Sequence, residues 1–296
     1  MQEHIIIKTV MKHNFNTHLT SEKTAALQKI RHLALDMDGT IYMEDNIFPF
    51  TLKFLSDMDT AGIGYSFLTN NPTKSVYDYI CKLAKMGIKA TEDNMYTTSI
   101  AAIDYIKENY PKAKRLFMLG TPSMVEQFEK AGFCSCEDSA EDRPDVLVVA
   151  FDTTLTYSRL CRAAWWASQG VPYIATNPDK VCPTDQRTIL VDCGSLQKCI
   201  EQATGRKPDR VLGKPDPSML EGICHRHALA SDEIAMVGDR HYTDLELAHN
   251  AGALGVLVLS GETTEQEAVK VTKPEDLIVR DIRELGELLI EAKSIQ

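Results

Sequence analysis

The sequence predicts an α/β fold: a doubly wound, parallel, Rossmann-like core sheet with an inserted α/β cap domain. Strand-like apolar runs alternate along the chain with segments of helical periodicity, which is typical of parallel sheets flanked by helices. Two polar loops that follow such runs, at Thr69 and Lys214, lie 145 residues apart. One strand–helix–strand crossover takes only about 30 residues. The interval is therefore long enough to hold a whole extra domain.

The composition is that of an ordinary globular protein, with 44% hydrophobic and 25% charged residues among 296. This length exceeds one average domain and favours about two. The net charge of −10 argues against a nucleic-acid polymer as partner, because such polymers bind through clustered lysine and arginine. A small anionic ligand would therefore need cations placed close to it.

Targeting signals are not evident in the sequence. The apolar run Ile5–Ile7 is interrupted by Lys8, so we expect no signal peptide, and no later run is long enough to span a bilayer. Eight scattered cysteines without a CxxC pair disfavour zinc-ribbon and thioredoxin-like sites and favour reduced thiols. We expect a cytoplasmic protein without a membrane partner.

Residues 1–30 are expected to form an N-terminal extension that includes a short helix capped by Ser21.

The predicted core elements follow one another in a regular order. Leu33–Leu35 are an apolar run typical of a buried strand, and Leu52, Leu55 and Met58 recur at helical spacing in the segment after it. The other predicted core elements are strands at 65–68, 210–212, 234–237 and 255–259, and helices at 74–85 and from about 218 to 228.

The inserted segment has its own α/β pattern. Its predicted strands lie at 115–120, 145–151 and 173–176, and its predicted helices at 157–169 and 195–204. We therefore expect a core built from residues 31–96 and 208–296, with residues 97–207 forming the cap.

Two carboxylates and a glycine, Asp36, Asp38 and Gly39, follow the first strand. Ligands of open parallel sheets bind beyond the carboxyl ends of the strands. There Asp36 could attack phosphorus, and Asp38 could give a proton to the leaving group. Gly39 would let backbone N–H groups approach an anion. A structural hairpin turn is an alternative, whereas a calcium loop is disfavoured because Asp45 stands where that loop needs glutamate.

Three further loops supply the other groups that phosphoryl transfer needs. Asp36 and Asp239 could share one Mg²⁺, an ion that prefers a few carboxylates together with water and phosphate oxygens. Thr69 offers a hydroxyl and backbone N–H groups, and Lys214 offers a positive charge for phosphoryl oxygens. Asp244 could orient metal-bound water or Lys214 from outside the metal's ligand set, or could simply cap a helix.

These loops, taken in chain order, resemble the four motifs of the haloacid dehalogenase (HAD) superfamily. Their residues are similar to the motifs of its class IIA, NagD-like phosphatases. The four motifs are DMDGTI at 36–41, LTNN at 68–71, GKPDP at 213–217 and GDRHYTD at 238–244. The similarity also covers ATNPD at 175–179, ATGRKP at 203–208 and SGETTEQEA at 260–268.

The resemblance implies an Mg²⁺-dependent phosphomonoesterase that works through an aspartyl-phosphate. It implies Asp36 as nucleophile and metal ligand, Asp38 as general acid/base with its carbonyl on the metal, and Asp239 as the third metal ligand. The expected phosphate-binding residues are Gly39, Thr69, Asn70, Asn71 and Lys214.

The expected substrate is a small phosphorylated metabolite: a sugar phosphate, a nucleoside monophosphate, phosphoglycolate or pyridoxal phosphate. The chain could also form a homodimer. A dehalogenase-type hydrolase is a rival function, but it would need neither Asp38 nor the metal ligand Asp239. A receiver-type signalling domain would not carry so large a cap. A non-catalytic phosphate-binding protein should have lost at least one of the motif residues, and here all are present.

Other motifs receive weaker interpretations. Thr176 and Asn177 repeat the pattern around Thr69, but only Thr69 lies one crossover from Asp36, so we expect Thr176 and Asn177 to shape a cap turn. Three residues of the following loop are nevertheless candidates for substrate specificity: Asn177, Asp179 and Arg187.

Two clusters are expected to be structural. Cys224–His227 is expected to be a solvated helix face, because alternate residues on a helix point apart and the spacing matches no zinc site. Of Trp165 and Trp166, at least one is expected in the cap core.

Overall fold

The computed structural model describes residues 19–184 and 186–295. The first 18 residues of the predicted extension, to which no function was assigned, therefore lie outside the described residues. The predicted short helix is present at Ser21–Lys29, but its cap is Thr20, whose side chain accepts a hydrogen bond from the Lys23 N–H. The prediction of Ser21 as cap is wrong by one residue, because Thr20 is the last residue with extended backbone angles.

The helices and strands agree in type with nearly all of the predicted elements. The strands are β1 (His32–Asp36), β2 (Tyr42–Met43), β3 (Asn46–Ile47), β4 (Gly64–Thr69), β5 (Met95–Thr97), β6 (Arg115–Leu119), β7 (Cys134–Ser135), β8 (Val146–Val149), β9 (Tyr173–Ala175), β10 (Val181–Cys182), β11 (Leu190–Val191), β12 (Arg210–Val211), β13 (Ile234–Gly238), β14 (Leu254–Val258) and β15 (Leu277–Val279). The helices are α1 (Ser21–Lys29), α2 (Thr51–Ala61), α3 (Val76–Lys85), α4 (Thr98–Asn109), α5 (Pro122–Lys130), α6 (Tyr157–Ser168), α7 (Cys193–Thr204), α8 (Ser218–His227), α9 (Glu246–Ala251), α10 (Glu265–Val271) and α11 (Ile282–Ser294).

The core sheet is parallel and doubly wound, as predicted. Its strand order is β15-β14-β13-β1-β4-β5, so the chain winds outward from β1 in both directions. Leu33 and Leu35 pack with residues of α2 and α11 on one face, and Ala34 packs with residues of α8 and α9 on the other. Because β1 lies between β4 and β13, the loops that follow these three strands are neighbours at one edge of the sheet.

The inserted segment forms a second parallel sheet with the order β12-β9-β8-β6-β7. The predicted strand at 210–212 belongs to this sheet, where Arg210 and Val211 pair with β9, and not to the core sheet as expected. A strand this short does not specify its own partner, so sheet membership depends on tertiary contacts. The chain thus enters the second sheet after β5 and leaves it after Val211.

Several elements lack a counterpart among the sequence predictions. They include α10, β15 and α11 at the C-terminal end and the short hairpins β2–β3 and β10–β11.

Trp166 is buried in the second unit and Trp165 is half-exposed, which confirms that one indole belongs to its core. All eight cysteines are free. No helix within 19–184 or 186–295 has the length and apolar character needed to cross a membrane.

Candidate active site

A cavity of about 610 Å³ lies at the carboxyl edge of the core sheet, where residues of the second unit cover it. Most of the site residues predicted from sequence meet there. Those that line it are Asp36, Asp38, Gly39, Thr69, Asn70, Asn71, Asp179, Lys214 and Asp239. The four motifs therefore form one site, although they are far apart in the chain.

Three carboxylates cluster at the cavity, and two of them, Asp36 and Asp239, line it. One oxygen from each of Asp36, Asp239 and Asp244 lies within 4.8 Å of the others. Asp36 ends β1, Asp239 directly follows β13, and Asp244 lies in a turn of π-helix, His241–Leu245, that carries its side chain back under the strand end. The Asp244 carboxylate is held there because its Oδ2 accepts the Arg240 N–H at 3.0 Å.

Lys214 supplies the positive charge in this cluster. Its Nζ forms a short ion pair with Asp36 Oδ1 and lies 2.7 Å from Asp244 Oδ1. Burial alone would lower the pKa of Lys214, but the Asp244 and Asp36 carboxylates outweigh it and raise that pKa. Lys214 is therefore a permanent cation that is 4% exposed and held on the candidate nucleophile.

The carboxylates carry more negative charge than Lys214 can balance. Burial is the main cause that raises the pKa of Asp36 to about 7, against the opposing charge of Lys214 and with the help of Asp244 and Asp239. Burial, followed by the charge of Asp244, raises the pKa of Asp239 to about 6. A second positive charge would lower both pKa values, so the electrostatics favour a bound cation.

The contacts of Asp239 also fit a cation. Its Oδ2 accepts the Glu262 N–H at 2.7 Å, but its buried Oδ1 has no hydrogen-bond partner among the described residues. Gly39 and Gly261 enclose this carboxylate so closely that an added Cβ would lie 2.3 Å and 2.0 Å, respectively, from Asp239 Oδ2. A buried carboxylate oxygen without a partner, next to the Asp36 carboxylate, is a suitable ligand for a divalent metal ion.

Asp38 is more exposed than Asp36 and lines the cavity. Its Oδ1 accepts the Glu44 N–H at 3.2 Å, and Glu44, at the tip of the β2–β3 hairpin, has a positive φ of 55°. Gly39, with φ of 86°, turns the chain between Asp38 and this hairpin, and its N–H donates to the Tyr42 carbonyl at 2.8 Å. This turn places the Asp38 carboxylate at the cavity.

The loop after β4 is held by its own side chains. Thr69 Oγ1 accepts the Asn71 N–H at 3.1 Å, and Asn71 Oδ1 accepts from the Thr73 N–H and hydroxyl at 2.9 and 2.6 Å. The Asn70 amide is fully engaged with Lys214 main-chain atoms and with Asp179. Its side-chain amide is therefore already hydrogen-bonded within the protein, whereas Thr69 lines the cavity.

Two predicted specificity residues do not reach the cavity. Asn177 is fully buried, and Arg187 is exposed and is not among the cavity-lining residues of the described chain. Thr176 is also fully buried and donates to Asn177 Oδ1 at 2.9 Å, in accordance with a structural turn. Neither Asn177 nor Arg187 therefore lines this cavity, and their role in substrate choice stays a prediction.

Other residues that line the cavity were missed. Lys82 and Arg240 add two cations, and Arg240 Nε pairs with Glu262 at 2.9 Å. Gly261 encloses Asp239. Arg240 follows Asp239 directly in its motif, and Gly261 and Glu262 open the SGETTEQEA segment, so their position next to motif residues was a usable signal.

The comparisons with known proteins point to one family. A sequence-family model described as haloacid dehalogenase-like hydrolase matches residues 33–134, and a second, HAD-hydrolase-like model matches residues 211–285. The chain is 29% identical over 258 residues to the acid sugar phosphatase of Staphylococcus aureus, which covers 87% of this chain and 97% of that protein.

Solved structures agree in both fold and sequence. The 4-nitrophenylphosphatase of Thermotoga maritima has a TM-score of 0.82 and 36% identity, covering 88% of this chain and 98% of that one. The glycerol phosphate phosphatase of Mycobacterium tuberculosis, solved in complex with magnesium, has a TM-score of 0.79 and 28% identity, covering 88% and 78%. NagD proteins also match. The chain therefore belongs to the haloacid dehalogenase-like hydrolases, and within them to the class IIA, NagD-like phosphatases.

Proposed function

We propose that this protein is an Mg²⁺-dependent phosphatase that hydrolyses a small phosphomonoester by transferring the phosphoryl group to Asp36. One observation supports this most strongly: the Lys214 ammonium is held on Asp36 at the floor of a cavity, within a cluster of three carboxylates. A carboxylate nucleophile beside a cation for phosphoryl oxygens is what attack on a phosphate dianion requires.

The metal ligands proposed are the Asp36 and Asp239 carboxylates and the Asp38 main-chain carbonyl. When bound, Mg²⁺ would offset the repulsion between the anionic nucleophile and the anionic substrate. The unsatisfied Asp239 Oδ1 supports this assignment, as does the magnesium complex of the related glycerol phosphate phosphatase. We assign Asp244 to hold Lys214 on Asp36, because its contact with the ammonium is 2.7 Å.

The reaction then proceeds in two displacements. An Asp36 carboxylate oxygen attacks phosphorus, the bond from phosphorus to the ester oxygen breaks, and Asp38 gives its proton to the departing alcohol. Water next attacks the phosphorus of the aspartyl-phosphate and gives a proton to Asp38, while the bond from phosphorus to the Asp36 oxygen breaks, which releases inorganic phosphate and restores the Asp36 carboxylate. Lys214 and the Thr69 hydroxyl bind the phosphoryl oxygens throughout.

The substrate class proposed is a phosphorylated sugar or polyol. The cavity of about 610 Å³ is of ordinary size for a small metabolite. Its lining includes Glu44, Asp45 and Glu262, whose carboxylates can accept hydrogen bonds from hydroxyl groups. The names of the related acid sugar and glycerol phosphate phosphatases support the same substrate class.

The function is tested with Asp36→Asn, which keeps the size of the side chain but cannot act as an anionic nucleophile. The matched control is Asp57→Asn, which alters a carboxylate that only pairs with Lys53 on the surface of α2. Wild type and control should release phosphate from p-nitrophenyl phosphate and prefer sugar or polyol phosphates in a panel of esters. The Asp36 variant should fold and be inactive. Turnover by Asp36→Asn would refute the assignment of the nucleophile.

Location and assembly are also proposed. The free state of all eight cysteines supports a cytoplasmic location. The homodimer stays a prediction, which sedimentation of the purified protein would test.

A further inference from the structure

A chain of polar contacts joins the second unit to the phosphate-binding side of the core. It runs from the start of α7 through Asn177 and Asp179 to Asn70, and from there to the main chain of Lys214. Asn70, Asn177 and the α7 cap Asp192 are buried. Buried polar networks that are fully hydrogen-bonded rigidify their surroundings, so this chain can fix one unit relative to the other.

Asn70 connects Asp179 of the second unit to the main chain of Lys214. Its Oδ1 accepts the Lys214 N–H at 2.7 Å, and its Nδ2 donates to the Lys214 carbonyl at 3.1 Å. The second hydrogen of the same Nδ2 goes to Asp179 Oδ2 at 3.0 Å. A carboxylate can only accept hydrogen bonds, so Asp179 favours the one amide orientation that also satisfies both main-chain groups of Lys214.

Asp179 is itself held from within the second unit. Its Oδ2 accepts a second bond from Asn177 Nδ2 at 3.3 Å, and its carbonyl accepts the Gly194 N–H at 2.7 Å. Gly194 allows this approach, because a Cβ at that position would lie 2.2 Å from the Pro178 carbonyl oxygen. Asn177 Nδ2 also donates to Asp192 Oδ1 at 3.0 Å. The Asp179 side chain is therefore placed by the fold of its own unit.

We propose that Asp179 is a positioning residue for the phosphate-binding cation: it orients the Asn70 amide, which fixes the Lys214 main chain and so places the ammonium on Asp36. This inference rests on the proposed role of Lys214. It assigns to the ATNPD segment a function in phosphate binding, in addition to the turn expected from its sequence. The second unit then contributes to a step shared by all substrates and not only to the choice among them.

Measurements can distinguish an Asp179 that positions Lys214 from an Asp179 that contacts the leaving group directly. If Asp179 acts through Lys214, its loss weakens the binding of the phosphoryl group itself. Inorganic phosphate, which lacks a leaving group, should therefore bind less tightly, and different esters should be affected by the same factor. If Asp179 instead touches the leaving group, phosphate inhibition should be unchanged and esters should be affected unequally.

The variants are Asp179→Ala, Asp179→Asn, Asn70→Ala and the double variant Asp179→Ala with Asn70→Ala. Asp138→Ala is the matched control, because Asp138 is also in the second unit but pairs only with Arg162. For each purified full-length protein we would measure the inhibition constant of inorganic phosphate and kcat/KM for p-nitrophenyl phosphate and a sugar phosphate. Circular dichroism checks folding, and Asp179→Ser replaces Asp179→Ala if the latter does not fold.

We expect Asp179→Ala to raise the inhibition constant of phosphate about 10-fold and to lower kcat/KM for both esters by the same factor, given the cost of losing a hydrogen bond to a charged group. Asp179→Asn should retain near-wild-type values, because its amide oxygen can take the place of Oδ2. In the Asn70→Ala background, Asp179→Ala should add less than about twofold, as expected for residues acting through one another.

Three results would overturn the proposal: an unchanged inhibition constant in Asp179→Ala, unequal losses on the two esters, or additive effects in the double variant. Asp179→Asn as impaired as Asp179→Ala would overturn it too, since the charge itself would then matter. Different results would show that the proposed phosphatase function itself is wrong. In that case the wild type and the Asp138→Ala control would lack phosphatase activity, or Lys214→Met would leave phosphate inhibition unchanged.

Discussion

Replacement of Lys214 by methionine should destabilise the metal-free protein strongly and in a pH-dependent way. The Lys214 side chain is only 5% exposed, and its two partners, Asp36 and Asp244, are 14% and 2% exposed. Removing one member of a buried ion pair leaves an uncompensated charge and costs about 3–5 kcal/mol. For a protein of this size, such a loss corresponds to a fall in Tm of roughly 6–20 °C.

The direction of the pH dependence follows from Asp36. Burial raises its pKa to about 7 while Lys214 is present, and loss of Lys214 would raise it further. A carboxyl group whose pKa is raised by folding costs stability as pH rises above its unfolded value, here 3.8, and the cost is complete above the folded-state pKa. The deficit of Lys214→Met relative to wild type should therefore be larger at pH 8 than at pH 5, where protons replace the lost charge.

The assay is thermal unfolding followed by circular dichroism, in EDTA, at pH 5 and pH 8. The matched control is Lys198→Met, because Lys198 pairs with Glu201 on the surface and is 75% exposed. Exposed ion pairs contribute about 0–1 kcal/mol, so this control should change Tm little at either pH. A Lys214 variant as stable as the control at pH 8, or a deficit independent of pH, would refute the electrostatic account of the cluster.

Three further predictions follow from the site. Asp38→Asn should lower kcat/KM, which reports the first displacement, by ~10²–10⁴-fold for esters with poor leaving groups and much less for p-nitrophenyl phosphate; equal losses of kcat/KM on the two kinds of ester would contradict its role as proton donor. Because burial raises the pKa of Asp36 to about 7 and of Asp239 to about 6, protons compete with the metal below these values. The Mg²⁺ concentration for half-maximal activity should thus rise as pH falls from 8 to 5, and a constant value would speak against these ligands. Gly261→Ala, whose Cβ would lie 2.0 Å from Asp239 Oδ2, should displace that carboxylate and raise the Mg²⁺ requirement at every pH; an unchanged requirement would show that Asp239 is not the ligand.

The sequence was sufficient to predict those features of the fold and the site that depend on residues close together in the chain. The apolar run before Asp36 predicted the central strand, and the spacing of Asp36, Thr69 and Asp239 relative to their strands predicted that they share one edge of a parallel sheet. Backbone periodicity determines these features locally, and the direction of parallel strands then places their ends together.

The remaining features depend on tertiary pairing. Arg210–Val211 looked like a core strand but pairs with β9 in the second sheet. Asn70 and Asp179, which are hydrogen-bonded, are 109 residues apart, so no local pattern connects them. Asn177 sits in a polar loop yet is fully buried, because a network of partners compensates its burial.

The most direct test of the account is to locate the transferred phosphoryl group. In Asp38→Asn with p-nitrophenyl phosphate, attack by Asp36 should proceed because the leaving group needs no proton, while activation of water for the second displacement should be slow. The aspartyl-phosphate should then accumulate, and acid quenching followed by peptide mass spectrometry should find the phosphoryl group on Asp36. A phosphoryl group on another residue would contradict the central claim, as would nitrophenol release at wild-type rate without any phosphorylated peptide.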